Sequence, residues 1–219
     1  MKEKEAAEKG IDLESLKAEQ KKLAKSVVLK DEMDFSQATR FAGVHVEMIG
    51  KEILVSIAVL DENMEVMEEK YVTRPVRFPY IPGYRAYREL PAVLAAYDKL
   101  EENPDVIFIE AVGIAHPRGL GLASHLGISI GKPVIGITKN VFEGEKKGSE
   151  VFLNGKAVAI VLETKKGSNP VYVSPGNMIS LKTAIEVTKR CIKEPHKMPE
   201  PIVQARKSSS NVKHELGQK

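Results

Sequence analysis

Apolar positions in this chain change period several times, and each change marks an element. From Asp12 to Val27 the residues Leu13, Leu16, Leu23 and Val27 stand among charges at helical spacing, with Asp12 placed as an N-cap. The stripe is narrow, so this helix is expected to dock on the body of the fold. Phe41–Met48, Ile53–Leu60 and Glu65–Thr73 read as strands, the first two joined by a Gly50-Lys51-Glu52 turn. Three sequential strands with short connections predict an antiparallel meander.

After the turn-rich stretch Phe78-Pro-Tyr-Ile-Pro-Gly83, Leu90, Val93, Leu94, Tyr97 and Leu100 recur at helical spacing, with Pro91 acceptable only in a first turn. Val106–Ile109 is a continuous apolar run, the pattern of a strand covered on both faces. A helix over 120–130 precedes a second such run, Pro133–Ile137, and strand, helix, strand in that order predicts a right-handed parallel crossover. Beyond a charged turn at Glu143–Gly148, the segments 151–153 and 157–162 form a hairpin through Asn154-Gly155, and a last helix covers 181–192. The expected architecture is α/β: a mixed sheet, antiparallel meander first and parallel crossover strands after it, flanked by helices. One domain spans 1–205, and residues 206–219, with Ser208-Ser-Ser210, are polar enough to form a disordered tail.

Composition narrows this picture only slightly. A chain of 219 residues with 42% hydrophobic residues can bury one good core. The net charge of +3 does not point to nucleic acid by itself, although residues 182–219 carry nine Lys/Arg against four Glu, which suits either a phosphate-facing end or a solvated basic tail. Cys191 is the only cysteine and no Cys/His cluster has zinc-finger spacing, which predicts a reducing compartment. Met1–Gly10 alternates Lys and Glu without an apolar leader segment, and no apolar run approaches the roughly 20 residues of a membrane helix. The expectation is a cytoplasmic monomer that uses no membrane.

In an open α/β sheet functional side chains collect at strand ends, which selects His45, Glu47, Glu89, Glu110, His116, Arg118 and Lys139. Glu110 ends an apolar strand and is followed by His116 and Arg118; acids so placed suit divalent metal ions, while a solvated strand end is the plainer alternative. Glu89 stands near a helix start, where the dipole alone favours an acid, and Lys139 could be an ordinary surface lysine. Two prolines hold Tyr80 and Ile81 in an extended loop, which suits either a protruding wedge against a base or a packed loop. His125, inside a predicted helix, reads as a core or interface histidine.

Ala42-Gly-Val, Phe78-Pro-Tyr-Ile-Pro-Gly, Tyr87-Arg-Glu, Gly113-Ile-Ala-His-Pro-Arg, Ala123-Ser-His-Leu-Gly, Gly136-Ile-Thr-Lys, Val173-Ser-Pro-Gly and Pro199-Glu-Pro occur in the order found in endonuclease V, and residues 12–205 resemble that family. The resemblance implies a ribonuclease H-like fold and a Mg²⁺-dependent endonuclease that recognises inosine or deoxyinosine in DNA or RNA and cuts one bond away on the 3′ side. By position it implies Glu89 as a metal-site acid and Tyr80, with Ile81 and Pro82, as a strand-separating wedge. His116 and Lys139 would lie near the scissile phosphate, Arg88 on the nucleic-acid backbone. A pocket near Gly83 and from Gly113 through Arg118, Leu120 and Gly121 to Leu122 would take the flipped base.

The chain departs from the family at the metal positions. His45 stands where the family has an aspartate, and Glu110 replaces another, carrying its carboxylate about 1.5 Å further out. Asn177 and Arg206 each stand where a histidine is expected. Histidine suits Mn²⁺ or other transition metals better than Mg²⁺, and Glu47, on the same strand face as His45, is a candidate replacement carboxylate. Two readings follow: an endonuclease with an altered metal site at His45, Glu47, Glu89 and Glu110, or a catalytically inactive relative that binds nucleic acid. A third is a partner-binding role.

Overall fold

Asp12 accepts from the backbone N–H groups of Glu14 and Ser15 at 3.0 Å, starting α1 (Leu13–Leu23) where the sequence places its cap. The structure is a computed structural model and describes residues 10–140, 143–165 and 167–217; Met1–Lys9 and the last two residues of the predicted tail lie outside them. The meander follows as β1 (Phe41–Ile49), β2 (Glu52–Leu60) and β3 (Val66–Pro75). Then come α2 (Arg85–Tyr97), β4 (Val106–Ile109), α3 (Leu122–Ile130) and β5 (Val134–Thr138). The chain continues through β6 (Glu145–Lys147), β7 (Glu150–Leu153), β8 (Lys156–Leu162), β9 (Val171–Asn177), α4 (Leu181–Arg190) and α5 (Glu200–Glu215).

The strands form one sheet in the order β3-β2-β1-β4-β5-β9-β8-β7-β6. β1, β4 and β5 run parallel at its centre, and the flanking pairs are antiparallel, so the mixed sheet expected from the sequence is present. Side chains alternate between its faces. Phe41, Phe108, Ile135 and Ile137 pack with Ala184 and Val187 of α4 and Ile202 and Ala205 of α5. Ala42, Val44, Ile107 and Ile109 pack on the opposite face with Val93 and Ala96 of α2 and Leu122 and Leu126 of α3. Phe41 and Phe108 are fully buried, and truncation of either to Ala should cost about 3–5 kcal/mol.

Three sequence expectations need correction, and one strand went unpredicted. The polar tail from 206 is instead the continuation of α5, because Ile202, Ala205, Ser208, Ser209 and Val212 form one buried stripe in which the serines are small enough to pack. Pro91 lies well inside α2, where it lacks the N–H that would bond the carbonyl of Tyr87. Glu145–Lys147 is a fully exposed edge strand, turned back on β7 at Gly148 (φ +61°), and its charges suit an unpaired edge. β9 carries Pro175 and Gly176, which argue against a strand; a bulge between Val134 and Ile135 lets Pro175 face Ile135. The Asn154-Gly155 hairpin forms as predicted, with φ +52° and +75°. No helix among the described residues is long and apolar enough to cross a membrane.

Candidate nucleic-acid interface and strand-end cluster

The parallel register runs from Phe41 opposite Val106 to Val44 opposite Ile109, so His45 and Glu110 are neighbours just past the paired ends. Alternation sends both toward α5, together with Glu47, and Lys139 follows Ile135 and Ile137 on that side. α5 lies close because residue 43 is glycine: a Cβ there would meet the carbonyl carbon and oxygen of Pro201 at 2.0 Å. That close approach brings Arg206 over the strand ends. Its Nη2 lies 2.5 Å from Glu110 Oε1 and its Nε 3.1 Å from Oε2.

Lys139 Nζ is 4.0 Å from Glu110 Oε1, and His45 Nδ1 is 3.6 Å from Oε2, outside hydrogen-bond contact and buried without another partner. Burial alone would raise the pKa of Glu110. The neighbouring His45 ring and the Arg206 guanidinium outweigh it and hold the carboxyl at about 2. Glu110 is therefore ionised throughout the physiological range and already carries a counter-ion.

The other acids are committed as well. Arg85 Nε sits 2.8 and 2.7 Å from the two oxygens of Glu89, and Arg85 Nη1 donates to the Glu110 carbonyl at 2.9 Å. Arg85 thus ties the buried Glu89 to the end of β4. Glu47 points to α5, accepting from Lys213 Nζ at 3.0 Å and from the Ser209 hydroxyl; despite its burial these partners lower its pKa. It pins α5 to β1 and leaves no free carboxylate beside His45.

Divalent ions that cleave phosphodiesters need several unpaired carboxylate oxygens. Among the described residues no three His, Cys, Asp or Glu side chains converge in a group that could hold a metal ion. Arg206 cannot serve as a ligand, since guanidinium has donors only and stays protonated. Two cations already flank the one carboxylate at the strand ends, and a divalent ion would have to enter beside them. These residues do not fit a two-metal centre.

The opposite side of the strand ends holds a cavity of about 260 Å³, walled by Tyr80, Pro82, Ala111, Val112, Leu120 and Leu122 among others. That is below the ~300–1,000 Å³ typical of drug-sized ligands and suits one heterocyclic ring system. Its rim is set by Gly83, whose φ of +79° favours glycine and whose carbonyl collects three donors: Gln20 Nε2 at 3.0 Å, Arg118 Nη2 at 2.6 Å and His116 Nε2 at 3.1 Å. The His116 Nδ1 accepts from the Arg118 backbone N–H at 3.3 Å, which puts the ring proton on Nε2. Burial, and then the Arg118 charge, push the pKa of His116 down to about 4, so the ring is neutral at pH 7.

The predicted site residues separate into groups here. Tyr80 is 49% exposed at the cavity mouth, and Ile81, 4% exposed, also lines the cavity while packing with Leu13, Leu16 and Tyr87 beneath it. Pro82, Leu120, Gly121 and His116 line the cavity. Gly113 and Arg118 stand behind it: Gly113 packs on the Pro175 carbonyl, and Arg118 braces Gly83 while stacking 4.6 Å from the Tyr84 ring. Arg88 lies 5.7 Å from the Tyr80 ring centroid. His125 packs edge-on against Tyr87 with its Nδ1 buried and unpartnered. Asn177 lies off the strand ends and accepts from the Val28 N–H at 3.0 Å.

Sequence reasoning missed Arg85 and Gln20. Arg85 had a readable signal, its i,i+4 spacing to Glu89. Gln20, 1% exposed and bonded to both Gly83 and Arg118, had none beyond an amide on a docking helix. Beside Glu110, Lys139, Lys197, Arg206 and Lys207 line a groove of about 460 Å³, a cation-rich surface next to the strand ends.

A mixed sheet with parallel central strands and charged groups at their ends is a ribonuclease H-like architecture. The sequence profile of the Endonuclease V family matches residues 21–207. The Endonuclease V of Trichormus variabilis is 40% identical over 204 residues, covering 88% of this chain and 91% of that one. The crystal structure of the Streptomyces avermitilis Endonuclease V superposes with a TM-score of 0.85 at 32% identity, over 94% of this chain and 95% of the other. Ciona intestinalis Endonuclease V, solved with a 24mer DNA containing an inosine followed by a ribo-adenosine, has the same fold: TM-score 0.85, 24% identity, 93% of this chain and 98% of that one. The chain belongs to the endonuclease V family.

Proposed function

We propose that this chain binds inosine-containing nucleic acid by taking the everted base into the cavity beside Gly83, and that Arg206 and Lys139 do the work of phosphate neutralisation that divalent ions do elsewhere. The observation that carries the reading is the two-contact Arg206–Glu110 pair, which uses the carboxylate that a metal would need. The neutral His116, Gln20 and Arg118 hold the Gly83 rim in place, so the cavity is formed before any base arrives. Tyr80 at the mouth supplies a ring to fill the gap left in the stack. The inosine-containing DNA bound to the Ciona protein is the kind of ligand such a cavity suits.

Binding without cleavage follows from the same geometry. With both Glu110 oxygens on Arg206 and both Glu89 oxygens on Arg85, neither of these two acids is open to position an attacking water through a metal. The test is fluorescence anisotropy of single-stranded DNA and RNA carrying inosine or adenosine at one position, in EDTA, Mg²⁺ and Mn²⁺, with strand integrity read on a gel. Preference for inosine in EDTA with intact strands is expected. Product one bond 3′ of inosine in either metal would return the chain to the metal-dependent nucleases.

A further inference from the structure

The last residues of β5 divide between the two sides of the strand ends. Ile135, Ile137 and Lys139 face α5, with Lys139 Nζ 4.0 Å from Glu110 Oε1. Gly136 faces the other way, packed on the Ala111 carbonyl, and Thr138 and Asn140 follow it on that side, in the wall of the cavity of about 260 Å³.

The polar side chains of that wall are of two kinds. Gln20 is bonded to Gly83 and Arg118, Arg85 to Glu89 and the Glu110 carbonyl, and His116 to Gly83. These hold the protein's own structure. Thr138 and Asn140 border the same cavity and make no hydrogen bond among the described residues. Asn140 is exposed and Thr138 half-buried, so water reaches both, and their donors and acceptors are open to a ligand that displaces it.

Their position selects the part of a nucleotide that they meet. A nucleotide is joined base to sugar to phosphate. With the base in the cavity and the phosphate beside Lys139 and Arg206, the sugar crosses the end of β5, where Thr138 and Asn140 stand. Deoxyribose offers these groups only ether and ester oxygens, which accept and do not donate, so the Asn140 carbonyl oxygen finds no partner. Ribose adds a 2′-hydroxyl that donates as well as accepts, and a hydroxyl beside a carboxamide matches it in both senses.

We infer that Thr138 and Asn140 form a sugar subsite that hydrogen-bonds the 2′-hydroxyl of the everted nucleotide, which makes inosine in RNA a better ligand than deoxyinosine in DNA. This subsite rests on the base-binding reading above and adds to it the residues that choose between two nucleic acids. Because the site is open to water, the discrimination is that of an ordinary neutral hydrogen bond, about 3- to 10-fold in affinity.

The test uses one single-stranded DNA sequence in EDTA, read by fluorescence anisotropy. One position carries deoxyinosine, ribo-inosine or 2′-fluoro-deoxyinosine, which keeps a ribose-like pucker without an O–H donor. A fourth strand has deoxyinosine followed by a single ribonucleotide. Wild type should bind the ribo-inosine strand about 3- to 10-fold more tightly than the other three. In Thr138→Val/Asn140→Ala that advantage should vanish, and the exposed Asn140→Ala alone should weaken it, which keeps the test open if the double variant loses stability. An advantage kept by the variants overturns the inference. So does one shared by the 2′-fluoro strand, which would mean that pucker is read, or one that follows the ribonucleotide on the 3′ side. Equal binding of ribo- and deoxyinosine by wild type, with inosine still preferred to adenosine, overturns the sugar subsite and leaves the proposed function standing. No preference for inosine over adenosine on either sugar overturns both.

Discussion

Arg206 and Glu110 face each other across the gap between α5 and the end of β4, guanidinium to carboxylate, with Nη2 and Nε each directed at a different oxygen. A divalent ion at this position would need that carboxylate unpaired. Here the helix supplies the positive charge from within the chain, and the position of that helix depends on a glycine more than 150 residues earlier in the sequence. Removing the guanidinium leaves a mostly buried carboxylate with only His45 and the distant Lys139 nearby. Arg206→Ala is therefore expected to destabilise the protein by about 1–3 kcal/mol, below the 3–5 of a fully buried pair because both side chains retain some exposure. Thermal unfolding should show a drop of about 2–4 °C per kcal/mol for a chain of this size.

Restoring the two aspartates alone is predicted to fail as a route to cleavage. His45→Asp with Glu110→Asp supplies the acids but leaves Arg206 above them. Adding Arg206→His removes the competing cation and contributes a ring nitrogen. Cleavage of an inosine-containing strand in Mn²⁺ should rise at least tenfold in the triple variant over the double one, a gain of about 1.4 kcal/mol in transition-state stabilisation. Equal rates in the two variants would show that Arg206 is not the obstacle.

Gly43→Ala tests how α5 is seated. Its Cβ would fall on the Pro201 carbonyl, a backbone group that can yield only if the helix start moves. Helix displacement carries Arg206 away from Glu110 and Lys213 away from Glu47. A loss of about 2–4 kcal/mol is expected by urea unfolding, larger than the usual cost of overpacking by one methyl.

His116 sets the acid side of the stability profile. Its folded pKa of about 4 lies below the ordinary value near 6.5, so the unfolded chain takes up the proton first as pH falls. Stability is fully present above pH 6.5 and is lost progressively down to about pH 4, by about 2–3 kcal/mol. Glu110 acts lower: its contribution is present above the ordinary carboxylate pKa and is lost as pH falls toward 2. Stability measured from pH 7 to 4.5 should therefore fall in wild type, and His116→Gln should flatten this slope even though it lowers stability at pH 7. A slope unchanged by the substitution would contradict the buried neutral assignment.

The sheet centre was legible because its strands obey one simple rule. A period of two along Phe41–Glu47, Val106–Glu110 and Ile135–Lys139 places His45, Glu110 and Lys139 on one face without any knowledge of contacts. The elements that escaped are those where small or special residues break the pattern. Ser208 and Ser209 look like a solvated tail yet fill the buried stripe of α5, and Pro175 in β9 depends on a bulge opposite it. The site divides the same way: the residues at strand ends were foreseen, while the pairings that decide their chemistry, Arg206 with Glu110 and Arg85 with Glu89, join elements whose packing no local pattern encodes. Ile81 shows a related limit, since a proline-restricted loop fixes the backbone direction but not that this side chain both lines the cavity and packs on the apolar floor beneath it.

The central claim is that the strand ends carry an internal cation in place of metal ions, and calorimetric titration with Mn²⁺ tests it most directly. Wild type should give no saturable binding up to about 1 mM, the level that corresponds to roughly −4 kcal/mol, while the His45→Asp/Glu110→Asp/Arg206→His variant should bind measurably below it. Saturable micromolar binding of Mn²⁺ by the wild type, abolished by Glu110→Gln, would show that the Arg206–Glu110 pair opens for a metal and would contradict the account.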